Sequence, residues 1–236
     1  MNMSDHEGAV LDTKAVNTNW NGGPLQLLVN QSVTIPQTPN GTTIFAATNQ
    51  ATQNNAGQLV LTSGGGAPTT LGVPALSNSP TILINNWQAN NLGVTNTSIN
   101  NITPILVQAV GPGMPGIQPL TLNAGMPTQM APGQCAQANA SPQWMQLVLQ
   151  VTGATLGVIG VIGGPQDASG NNAYAIQVNA PSNTGPGTGM TPPPGYYATT
   201  TSNTYTYQFN WGSSLIFVAN LSPSTAQAVA ATLRTL

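Results

Sequence analysis

General acid and base catalysis needs a positioned His, Asp, Glu, Lys or Cys with a partner group. This chain of 236 residues offers two basic, four acidic and one histidine side chain, and a single thiol, Cys135. Asp5, His6, Glu7, Asp12 and Lys14 crowd the N-terminus, Arg234 sits near the other end, and Asp167 stands alone between them. A Ser-His-Asp arrangement would have to recruit His6 from a terminal tail. Asp5, His6 and Glu7 are adjacent and so point in different directions along an extended chain, which makes a solvated tail the expectation rather than a metal site. Asp167 lies in GGPQDASGNN, where its carboxylate suits a turn, and the further carboxylates of a calcium loop are missing. No catalytic residue, cofactor or metal site is assigned, and the chain reads as a non-enzyme.

The remaining motifs are equally sparse. Gly64 to Gly66 and the GVIGVIGG run lack a following helix with Lys or Ser/Thr in place, so tight turns explain them better than phosphate binding. Sequons at Asn30, Asn40, Asn96, Asn101, Asn139 and Asn220 arise readily in a chain this rich in Asn and Thr. Cys135 admits no intrachain disulfide; a small buried hydrophobe is the expectation and an intermolecular bridge the alternative.

Charged residues make up 3% of the chain, against roughly 25% in ordinary domains. Apolar residues still reach 40%, so a core can form. The surface must therefore be built from Asn, Gln, Thr, Ser and Gly. With a net charge of -2, copies repel one another little, and this favours association. Amides also cross an interface without the desolvation cost of several kcal/mol that buried ions carry. Nucleic acid is excluded as a partner, and with it most capsid shells, because two basic residues at opposite ends build no groove for phosphates.

The first twenty residues lack a basic segment followed by an apolar run, so no secretory signal is expected. Residues 143–164 are long and uncharged enough to raise the question of a membrane span. Their glutamines, threonines and glycines fit two successive strands parted at Thr152 and Gly153 better than a helix, so no span is expected.

The elements that must position all this are strands. Short β-branched runs begin at Leu25, Thr42, Gln58, Thr81, Ile102, Gln118, Gln146, Ala154, Ala173, Asn203 and Ser213, each ended by Gly, Pro, Asn or Ser. The expected class is all-β, a β-sandwich of jelly-roll type. Ser222 as cap, Pro223 at the first helical position, and Val229 and Leu233 four apart predict a short helix over 222–236. The expected organisation is an N-terminal arm over 1–24, β-units over 25–115 and 116–221, and a Pro/Gly-rich loop over 181–195. QLVL recurs at Gln58–Leu61 and Gln146–Leu149, and an Asn-Trp pair at Trp87 and Trp211. Duplication and chance stand level as explanations in so simple a sequence.

Residues 204–211 alternate, with Tyr205, Tyr207, Phe209 and Trp211 on one face. That row is the candidate interface or ligand-stacking face. The expected function is a structural protein that assembles with itself into a fibre, tube, lattice or inclusion, its terminal arm adding a strand to a neighbour's sheet edge. A cell-surface or extracellular assembly is favoured over a cytoplasmic inclusion. The alternative is a carbohydrate-binding, lectin-like module with glycans as partners. Uncharged strands such as TILIN and QLVLQV would also be prone to cross-β stacking if left exposed.

Overall fold

The structure is a computed structural model that describes residues 17–75, 80–100, 103–139, 144–152, 158–166, 168–170, 172–179, 203–210, 215–222 and 228–235. Every regular element among them is a strand, and the strands fall into four sheets. Sheet A runs in the order β1 (Asn17–Asn19), β3 (Ser32–Ile35), β8 (Leu92–Asn96), β5 (Gly57–Ser63) and β6 (Thr69–Val73). Sheet B runs β2 (Leu25–Leu27), β9 (Ile105–Val110), β4 (Thr42–Asn49) and β7 (Thr81–Asn86). Sheet C runs β10 (Leu120–Thr121), β12 (Cys135–Asn139), β17 (Leu215–Asn220), β14 (Val158–Gln166) and β15 (Asn172–Asn179). Sheet D runs β11 (Thr128–Met130), β18 (Ala228–Thr235), β13 (Trp144–Thr152) and β16 (Asn203–Asn210). Pairing is antiparallel except between β1 and β3 and between β10 and β12.

Alternation builds each layer. Along β5, Gly57, Leu59 and Leu61 are buried while Gln58 and Thr62 are exposed, the period of two that a one-sided strand requires. Leu59, Leu61 and Val94 of sheet A meet Phe45, Ile105 and Val107 of sheet B in one apolar cluster. Ile159, Val161 and Val218 of sheet C meet Leu147, Leu149 and Val229 of sheet D in another. A third cluster joins the two pairs of sheets: Ile44 and Ala46 from the far side of β4 meet Ile162, Phe217 and Ala219 from the far side of sheet C. The four sheets therefore stack A, B, C, D, and β4, with apolar clusters on both of its faces, is buried along its whole length.

The two halves follow one plan. Advancing every strand of sheets A and B by nine gives the strand orders of sheets C and D. The long Pro/Gly-rich segment predicted over 181–195 falls between β15 and β16 and lies outside the described residues.

Three expectations need revision. Ala228–Thr235, expected within the terminal helix, is a strand placed between β11 and β13. Val229 and Leu233 are four apart, a spacing that fits one face of a helix and one face of a strand alike. Ala231 between them is also buried in the core, and Leu147 and Leu149 of β13 need a partner on that side. Tertiary pairing overrides the helical propensity of the alanines. Of the expected arm, residues 17–24 lie on the first half, with β1 paired to β3 and Trp20 buried. The QLVL repeat falls on β5 and β13, which the common plan does not equate, whereas the Asn-Trp repeat follows β7 and β16, which it does.

Within residues 143–164 the described strands are β13 and β14, in different sheets. No helix among the described residues is long and apolar enough to cross a membrane.

Candidate functional site

The chain holds no cluster of three or more His, Cys, Asp or Glu among its described residues. Among the described residues the surface of the stack carries one charged side chain, Arg234, and its faces, its edges and the seam between its halves are otherwise neutral.

The seam is the best-built contact. Gly160 of β14 leaves room for Ile44, whose Cδ1 would lie 2.5 Å from a Cβ added there. Ile44, Phe217 and Ala219 are almost wholly inaccessible to solvent. At the margin, Asn86 Nδ2 donates to the Ser169 carbonyl at 2.7 Å, bridging the halves without a charge. Cys135 belongs to this cluster. Burial pushes its thiol up to about 12, so it stays protonated and packs as a small apolar group.

The faces at the two ends of the stack differ from the seam. Positions of sheet A that correspond to Gly160, Ile162, Phe217 and Ala219 of sheet C carry Val60, Thr62, Gly93 and Thr95, by their matching registers. On sheet D the places of Ile44 and Ala46 are taken by Gln146 and Val148. Hydroxyls and amides thus replace most of the seam's apolar side chains where water meets the sheet.

The edges divide by length. On one side the sheets end in β1, β2, β10 and β11, of three, three, two and three residues. On the other they end in β6, β7, β15 and β16, of five, six, eight and eight residues. None of these eight strands contains a charged residue or a proline. Sheet edges are ordinarily protected by Lys, Pro, bulges or shortness. Shortness guards the first side, and the second lacks both Lys and Pro.

Tyr205 is 2% exposed and belongs to the core between sheets C and D, with Leu147 and Leu149. It stands opposite Leu149 across the ladder, and Tyr207 and Phe209 take the register positions opposite Leu147 and Met145. Trp211 lies outside the described residues, as do Asp5, His6, Glu7, Asp12, Lys14 and Asp167. Arg234 is exposed near the end of β18. Gly64 and Gly65 form the turn between β5 and β6 with φ of +54° and +76°, the left-handed region that glycine occupies without strain.

Of the four long edges, sequence reasoning found β7, β15 and β16 among the expected strands and missed β6. Its TTLGV segment was visible as β-branched, but the glycine and the short length weakened the signal. Comparison with known protein families finds no match, and no curated protein matches the chain.

Proposed function

We propose that this chain is a structural subunit that assembles with copies of itself. The observation that supports it most is the run of four long sheet edges on one side of the stack, uncharged and free of proline. Such edges take up strands from other chains through main-chain hydrogen bonds, which need no side-chain charge. The nearly neutral surface opposes close approach of copies only weakly.

Each half is read as a jelly roll. Eight strands in two facing sheets, such as β2-β9-β4-β7 over β3-β8-β5-β6, support this, with β1 as an added edge strand. Paired halves suit a building block, since both long-edged sides face one way while the chain itself supplies the seam.

The test is electron microscopy and light scattering of the purified full chain over a range of salt concentrations. Large assemblies that persist in high salt are expected, because no ion pair holds them. A monodisperse monomer at every concentration would overturn the reading. Thr70→Lys on exposed β6 and Thr204→Lys on β16 place charge on two long edges and are expected to reduce assembly size without unfolding the chain.

A further inference from the structure

A cavity of about 210 Å³ opens between the β5–β6 hairpin and the turn that carries β7 into β8. Ser63 and Thr69 line it from the hairpin, Asn85 from the end of β7, and Trp87, Gln88 and Asn90 from the turn. None of its lining residues is ionisable.

Two unfavourable features of the described structure meet at this turn. Gln88 and Ala89 are consecutive non-glycine residues in the left-handed region, with φ of 54° and 58°. Strain of this kind persists only where the surroundings fix it, and it gathers at ligand clamps. Here the Asn86 Oδ1 accepts from Gln88 N at 2.8 Å, Asn90 N donates to the Trp87 carbonyl at 3.0 Å, and Thr38 donates twice to the Asn90 carbonyl. The second feature is the indole of Trp87, which is 6% exposed and whose Nε1 is buried without an acceptor. A buried donor left unmatched is among the rarer features of native proteins.

We infer that this cavity is a binding site for a neutral polyhydroxylated ligand, a saccharide of one or two rings. Hydroxyl groups both donate and accept, which matches a lining of amides and hydroxyls. An anionic ligand would find no cation here, and a metal ion no carboxylate. The volume falls below the roughly 300 Å³ at which drug-sized pockets begin, so one sugar unit is seated and any other lies outside. The site stands on its own observations, whether or not the chain polymerises.

The test is equilibrium dialysis of the full chain against a panel of neutral mono- and disaccharides, with glycerol as the non-specific control. It is suited to a protein in any state of assembly. Saturable retention of at least one sugar beyond glycerol is expected, with a change in tryptophan emission that Trp87→Phe removes. Thr69→Val keeps the shape of the wall, leaves Trp87 packed, and removes one hydroxyl. It is expected to weaken binding roughly threefold to tenfold, the worth of one hydrogen bond. Retention no greater than that of glycerol for every sugar would overturn the proposal, as would equal retention by the parent, Thr69→Val and Ser63→Ala.

Discussion

Asn96 and Asn220 hold the same place in the two halves and make the same bonds. Each is wholly buried and donates through Nδ2 to a carbonyl of the second strand of its half, Leu27 at 3.0 Å and Met130 at 3.1 Å. Each accepts at Oδ1 from the backbone of a serine two residues on, Ser98 and Ser222, both at 3.1 Å. The backbone around them repeats as well: Asn30 N donates to the Asn96 carbonyl and Gly133 N to that of Asn220, both at 2.8 Å. Asn30 and Gly133 both take positive φ, 63° and 80°. In the intervening turns, the Oε1 atoms of Gln31 and Gln134 accept from Leu28 N and Ala131 N.

These amides tie the second strand of each half to the eighth, across from one sheet to the other. Asn96→Ala is expected to strand the carbonyls of Leu27 and Thr103 and the donors of Ser98, lowering stability by about 2–4 kcal/mol. Asn220→Ala should fall in the same range. Asn96→Asp should do no better than alanine, since a carboxylate cannot donate to the two carbonyls. Denaturant midpoints check this, and a loss below about 0.5 kcal/mol for either alanine variant would remove these residues as ties.

The repeated node shows what was legible in the sequence and what was not. Gly22, Pro24, Gln26 and Gln31 recur as Gly125, Pro127, Gln129 and Gln134 at one common spacing. Their letters are scattered among dissimilar residues, because strand exteriors need only hydroxyls or amides while turns and buried polar groups are particular. QLVL attracted attention because it is contiguous, yet any half-buried strand produces such a run. The Asn-Trp pair after β7 and after the β16 register was the reliable sign, since a tryptophan is rarely interchangeable. Of the candidate face, alternation located Tyr205 correctly on one side of a strand, but alternation alone does not say whether that side meets core, partner or ligand.

The seam between halves offers a coupled test. Gly160→Ala puts a Cβ 2.5 Å from Ile44 Cδ1, and overpacking of this kind costs about 1–3 kcal/mol. Ile44→Val deletes that very carbon at a cost of about 0.5–1.5 kcal/mol. Combined, the two changes should cost less than their sum, and a double-mutant cycle on unfolding free energies measures the difference. Strict additivity would mean that the two side chains do not meet.

Cys135 contributes to the alkaline behaviour. Its thiol is held protonated up to about 12 by burial, whereas in the unfolded chain it ionises near pH 8.5. The raised value makes its contribution fully present below about pH 8.5 and progressively lost as pH climbs toward 12, because only the unfolded state releases the proton. The slope approaches about 1.4 kcal/mol per pH unit. Cys135→Ala should flatten the curve between pH 8.5 and 9.5 relative to the parent chain, a comparison in which the tyrosines common to both cancel. An identical pH profile in the two proteins would contradict a buried thiol.

Part of the N-terminal segment that the sequence reads as one arm, residues 17–24, packs on the first half. Trp20 packs edge-on against Phe45, with ring centroids 6.5 Å apart at 88°, and its Nε1 donates to the Gly23 carbonyl at 2.7 Å. Its backbone N donates to the Thr34 carbonyl, and Gly22 accepts from Ala109 N. Deleting residues 1–24 therefore removes a core side chain along with β1, and a loss of about 3–5 kcal/mol, the worth of a buried tryptophan, is expected on thermal or denaturant unfolding. Deleting residues 1–16 leaves every one of these contacts in place. If the terminal segment joins subunits by adding a strand to a neighbour's long edge, the shorter deletion should reduce assembly size in light scattering while the unfolding midpoint stays unchanged. Undiminished polymers after the shorter deletion would exclude residues 1–16 as the connector and leave edge-to-edge pairing of the long strands as the route, which Thr70→Lys and Thr204→Lys test separately.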